Sequence, residues 1–132
     1  MPTIKNIKIN FMKPIPVNNL MLAVATSEGL YFFHAGEIVR LEASSNYTYI
    51  HFINRKPMLI AKVLGEYEEQ LSHAGFVRTH RSHLVNRQYI TFIDGQGNIV
   101  MEDNSRIEIS RRKRKEVITK LKKTFMHTPL AA

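Results

Sequence analysis

The chain has 132 residues, 44% of them hydrophobic and 9% aromatic, enough for one packed domain and too little for two ordinary ones. No apolar run approaches the ~18 residues of a membrane span, the first twenty residues lack the apolar stretch of a secretory signal, and the absence of cysteine excludes disulfides, thiolate catalysis and Cys-based zinc sites while fitting a reducing cytoplasm. Nineteen Lys and Arg against eleven Asp and Glu give a net charge of +8, an excess that points to an anionic partner such as nucleic acid or, less often, a membrane surface.

Residues 1–19 hold Pro2, Pro14 and Pro16 with little sustained periodicity and read as a leader or linker. From residue 20 the chain becomes a series of short runs rich in β-branched and aromatic residues, separated by turn formers. LMLAVAT (20–26), LYFF (30–33), EIVRLEA (37–43), YTYIHFI (47–53) and MLIAKV (58–63) are predicted strands. LGEYEEQLSHAG (64–75) is a predicted helix, with Leu64, Tyr67 and Leu71 on one face, early acids suited to the macrodipole and Gly75 as its stop. YITFI (89–93), NIVME (98–102) and SRIEI (105–109) are further strands. RRKRKEVITKLKKTF (111–125) is a second helix, with Ser110 as N-cap and Val117, Ile118, Leu121 and Phe125 as its apolar stripe. Residues 126–132 read as a tail. The connections are too short for parallel crossovers, so the sheets are expected to be largely antiparallel.

The charge is concentrated. Residues 104–123 carry nine Lys and Arg against two Glu, and residues 76–90 carry three Arg and no acid. These two segments hold more than the whole surplus. Arg111, Arg112, Lys113, Arg114 and Lys115 crowd the predicted start of the second helix, where the macrodipole disfavours cations by roughly 0.3–1 kcal/mol each. A helix start lined by basic side chains is suited instead to phosphate. Something anionic is therefore expected at Ser110–Lys115. A solvated helix face is the plainer alternative.

Three segments, EIVRLEASSNYTYIHF (37–52), GFVRTHRSHLVNRQYI (75–90) and IEISRRKRKEV (107–117), occur in an order that resembles the LytTR DNA-binding domain of bacterial transcriptional regulators. The middle one, with its Phe-x-Arg-x-His-Arg-Ser-x-x-Val-Asn run, is the most specific. The resemblance covers about residues 20–122. It implies a mainly β fold: an elongated β–β–β sandwich of short, mostly antiparallel strands, with one short internal helix and a basic C-terminal helix, spanning 20–125. It implies sequence-specific binding of double-stranded DNA by loops, not a recognition helix, inserted into successive major grooves.

Carried over position by position, the resemblance puts base contacts on Thr48, Arg81 and Arg112. A one-residue shift in the first loop would bring Tyr47 or Tyr49 to the place of Thr48. Contacts to the DNA backbone fall on Tyr49, Arg78, His80, Ser82, Ser110, Arg111, Lys113 and Lys115. An arginine can grip guanine O6 and N7 with two parallel bonds, whereas phosphate contacts add affinity without sequence information. The resemblance further implies direct repeats read by two copies of the chain, a cytoplasmic location, and no cofactor or metal. Many members carry a phospho-receiver. The only aspartates here are Asp94 and Asp103, both in predicted turns, so a receiver or histidine kinase would be an upstream partner not encoded in these residues. A stand-alone regulator and a piece of a longer one both remain open, as do an RNA-binding β-module and a basic protein-interaction module.

Other constellations are weaker. His80 and His83 have metal-like spacing but no third ligand. Ser82 beside them lacks a nearby carboxylate and a strained nucleophile turn. Glu66, Glu68 and Glu69 fit a solvated helix face. Gly95-Gln96-Gly97 fits a hairpin turn and not a phosphate-binding loop. Asn86 is expected to hold a turn through its side chain, and Tyr47, Tyr49 and Phe52 to pack, since Phe52 lies on the opposite strand face from the tyrosines. No catalytic constellation emerges, so an enzyme is not expected.

Overall fold

The computed structural model describes residues 20–126, with side chains as far as Lys123. The expected leader at 1–19, the side chain of Phe125 and all of the expected tail 126–132 but the backbone of its first residue lie outside the described residues.

Alternating residues build the first hairpin. In β1 (Met21–Thr26), Leu22 and Val24 point inward and Met21, Ala23 and Ala25 outward; β2 (Gly29–His34) pairs with it antiparallel from Met21↔His34 to Thr26↔Gly29. A short 3-10 turn (Ala35–Glu37) leads into β3 (Ile38–Ser44), followed by β4 (Tyr47–Phe52), β5 (Met58–Ile60) and helix α1 (Gly65–Ser72). Next come β6 (Phe76–His80), β7 (His83–Asn86), β8 (Ile90–Ile93), β9 (Asn98–Met101) and β10 (Arg106–Glu108). A 3-10 turn (Arg111–Lys113) then opens helix α2 (Arg114–Met126).

Three antiparallel sheets result, β1-β2, β5-β4-β3-β7-β6 and β10-β9-β8. The five-stranded sheet is the middle layer, because its two faces feed two separate cores. Leu41, Ile50, Phe76 and Leu84 pack with Leu22, Val24 and Phe33 of the first hairpin and with Tyr67 and Leu71 of α1. Val39, Val77 and Val85 pack with Ile99, Met101 and Ile107 of the three-stranded sheet and with Val117 and Leu121 of α2. Each such aliphatic side chain contributes about 1.5–3 kcal/mol by leaving water. The expected β–β–β sandwich with one internal and one basic C-terminal helix is what the chain forms. No helix among the described residues is long and apolar enough to cross a membrane.

The segment 76–88, a basic stretch and the most specific block of the resemblance but assigned no strand from its residue pattern, forms the β6–β7 hairpin. It shows no period-2 alternation because both its faces are covered, as Phe76 beside Val77 and Leu84 beside Val85 show. The second helix begins its α-helical turns at Arg114 and not at Arg111, and the Ser110 side chain makes no capping bond.

Candidate nucleic-acid interface

Three short connections carry the side chains singled out by sequence. The first joins β3 to β4 through Ser45 and Asn46, with Ser44 opposite Tyr47. Ser45 sits at φ +58°, the left-handed conformation a tight hairpin needs. On β4 the faces alternate. Tyr47 and Tyr49 are 46% and 37% exposed, and Thr48 is 0% exposed. The Thr48 hydroxyl donates to the carbonyl of Lys62 at 2.7 Å. The base contact expected of Thr48 is therefore corrected. A side chain with no accessible surface and a satisfied hydroxyl is a core link between β4 and the chain after β5. The outward positions beside the turn belong to Tyr47 and Tyr49.

The second connection, Arg81-Ser82, closes the β6–β7 hairpin, with His80 opposite His83. Arg81 is exposed and makes no side-chain hydrogen bond or ion pair among the described residues. His80 braces the turn, its Nδ1 accepting from the Ser82 amide at 3.1 Å, which leaves the ring proton on Nε2. The Ser82 carbonyl accepts from the Ala43 amide at 2.9 Å, tying this turn to the end of β3. Arg78 was expected on DNA phosphate. Its guanidinium instead donates to the carbonyls of His80 (3.0 Å) and Arg81 (2.6 Å) and pairs with Glu68 of α1 at 2.5 Å. Glu68 is thus an anchor for the hairpin and not merely part of a solvated face. The third arginine of the segment, Arg87, is half-buried and lies against Gly75, whose φ of +87° ends the α1 region.

The third connection is the turn Ser110–Lys113. Its start is fastened to the second, because the Ser110 amide donates to the Thr79 carbonyl at 2.8 Å. Arg111, Arg112, Lys113 and Lys115 are all exposed. Arg114 differs. It shares the helix face of Val117, Ile118 and Leu121, turns back over Gly97 and donates to the Gln96 carbonyl at 2.5 Å. Four cations of the basic run are presented outward, and the fifth staples the helix to the β8–β9 turn.

These turns converge. His80, Arg81, Ser110, Arg112 and Lys113 line one open cleft of about 400 Å³. Arg81 and Arg112 thus stand on one side of the molecule, as a single groove surface requires. On β3, opposite His83 in the register with β7, Glu42 accepts from His51 (3.0 Å) and Arg40 (3.2 Å). Burial disfavours the charged form of Glu42, yet the bonds from His51 and Arg40 outweigh it and hold the carboxyl below the usual range. Burial depresses both His51 and His83 below the usual histidine value, with the Arg40 charge adding to the effect.

The remaining constellations resolve structurally. The His80 and His83 rings lie 5.7 Å apart, and among the described residues no group of three or more His, Cys, Asp or Glu is placed to hold a metal. The Ser82–His80 bond runs through the Ser82 amide and not its hydroxyl, which is not the geometry of a base activating a nucleophile. Asn86 is buried, donating to the Ile38 carbonyl at 2.9 Å and accepting from the Gln88 amide at 3.0 Å.

The sequence profile of the LytTr DNA-binding domain matches residues 28–122. Among solved structures, the chain is similar to one described as the LytTr DNA-binding domain of a methyl-accepting/DNA response regulator from Bacillus cereus. The TM-score is 0.62 at 22% sequence identity, over 80% of this chain and 96% of that one. At that identity the likeness establishes the fold. No curated protein matches the chain.

Proposed function

The chain belongs to the family of LytTr DNA-binding domains, and on that premise we propose that it reads a specific duplex sequence as the output domain of a bacterial transcriptional regulator, with its turns entering successive major grooves. The carrying observation is the shared cleft of Arg81 and Arg112. Both guanidiniums are exposed and suited to bidentate contact with guanine, worth about 1–3 kcal/mol of discrimination each. Tyr47 or Tyr49 takes the place beside the first turn that Thr48 cannot fill. Ser110, Arg111, Lys113 and Lys115, with His80 and Ser82, supply contacts to phosphate and sugar. The binding unit is residues 20–125, two copies occupy direct repeats in adjacent turns, and an upstream receiver or histidine kinase in the same cytoplasm is the partner class this reading implies.

The test is selection of a preferred duplex from a random pool, followed by titration at increasing salt with RNA as competitor. A selected duplex bound more tightly than a scrambled one, with affinity falling steeply with salt, supports the reading. Preference for RNA favours an RNA-binding module. Absence of duplex binding at low salt overturns the reading and favours an acidic protein partner.

A further inference from the structure

Two-residue hairpins ordinarily rely on turns with positive φ, but Arg81 and Ser82 both keep negative φ. A register shift between Arg78 and His80 accommodates this turn, and side chains brace it further. Arg78 bonds the carbonyls of both His80 and Arg81 from one rigid fork, and the opposite edge of that fork is held by Glu68. The Arg78 side chain is only 20% exposed. Three of its five N–H groups are committed to the turn and to Glu68, which fixes the guanidinium in place. Glu68 is otherwise an unfavourable residue beside a surface meant for a polyanion.

We propose that Arg78, oriented by Glu68 of α1, is a positioning residue that presents Arg81 to the base edge, which makes α1 part of the reading apparatus although none of its residues lines the cleft. The inference rests on the proposed DNA reading. It assigns Arg78 a contribution to discrimination and none to phosphate neutralisation.

The experiment uses the full 132-residue chain, the duplex selected by the wild type and a scrambled duplex of equal length, each titrated at several salt concentrations. Arg78→Lys keeps the charge but loses the fork. The affinity ratio of selected over scrambled duplex is expected to fall at least about tenfold, with the salt slope unchanged. Glu68→Ala is expected to lower the same ratio, although removing an acid strengthens binding to the scrambled duplex. It also serves if Arg78→Lys fails to fold. In an Arg81→Ala background, Arg78→Lys is expected to cost no further discrimination, since both act through one contact. A ratio that survives either single substitution, or a salt slope that drops by about one phosphate contact when the charge itself is removed in Arg78→Gln, overturns the inference and leaves the DNA reading intact. A wild-type chain that selects no duplex overturns both.

Discussion

The amide of Ser110 donates to the carbonyl of Thr79 at 2.8 Å, and through that bond two turns far apart in sequence become one surface. Thr79 directly precedes His80 and Arg81, and Ser110 directly precedes Arg111 and Arg112. Fixing the two backbones together fixes where the two exposed arginine side chains leave the fold. A fixed pair of starting points is what a reader of base edges needs, because bidentate contacts tolerate little misplacement.

Ser110→Pro tests that link. Ser110 has φ −54°, within the range proline adopts, but the ring carbon takes the place of the amide hydrogen and meets the Thr79 carbonyl, so the bond is lost and the two turns are forced apart. The lost bond and the displaced carbonyl together are expected to destabilise the fold by about 3 kcal/mol or more, read by urea unfolding. Selectivity between the selected and scrambled duplex should fall further than binding to the scrambled duplex. A variant as stable and as selective as the wild type would show that the two turns are held in some other way.

Base readers and charge donors are separable by their signatures. Arg81→Ala and Arg112→Ala are each expected to relax preference at particular base pairs by about 1–3 kcal/mol. Lys115→Ala is expected to weaken all sequences about equally and to lower the salt slope by about one. Site selection repeated on each variant provides the check. Uniform loss across all three would mean that neither arginine touches a base.

Thr48 and Tyr49 should behave in opposite ways. Thr48→Val removes the donor to the Lys62 carbonyl while preserving shape, so it should cost about 0.5–1.5 kcal/mol of stability and leave DNA preference unchanged. Tyr49→Ala removes an exposed side chain beside the first turn and should reduce DNA affinity with little loss of stability. A thermal melt and a titration on each variant decide. Lost preference in a stable Thr48→Val protein would return that residue to the base-contacting set.

The sequence already contained the means to correct Thr48. On a strand, residues 48, 50 and 52 share a face, and Ile50 and Phe52 are plainly core residues. Helix periodicity likewise holds Arg114 in line with Val117, Ile118 and Leu121, a signal that grouping it with its basic neighbours passed over. Strands with one open face, such as β4, announced themselves by alternation. The β6–β7 hairpin did not, because a strand covered on both faces has no polar side to alternate with. The Glu68–Arg78 pair was illegible for a different reason. Nothing local ties an acid on a helix to an arginine on a later strand, and only the packing of α1 against β6 brings them together.

Stability should fall as the solution is acidified, beginning with histidine. His51 bonds Glu42 on one side at 3.0 Å, and His83 stands opposite Glu42 in the register of β3 and β7. Burial lowers both histidines below their ordinary value of 6.5, with Arg40 opposing the proton on each and His80 also opposing it on His83. The Glu42 charge favours the proton on both but does not overcome burial. At pH 8 both imidazoles are neutral in the folded and unfolded chain and add nothing. As pH falls through about 6.5, the unfolded chain takes up protons that the folded chain resists, so unfolding becomes easier until the folded histidines also titrate. The carboxyls of Glu42, Asp94 and Asp103 are held below their usual range. Their contribution persists through this window and is lost only at lower pH, as it drops through their folded values. Urea unfolding at pH 8, 6 and 5 should therefore show a progressive loss, and His83→Gln should flatten the part between pH 7 and 5. Identical stability across that range, or an unaltered profile in His83→Gln, would mean that His83 takes up its proton in the folded chain as readily as in the unfolded one.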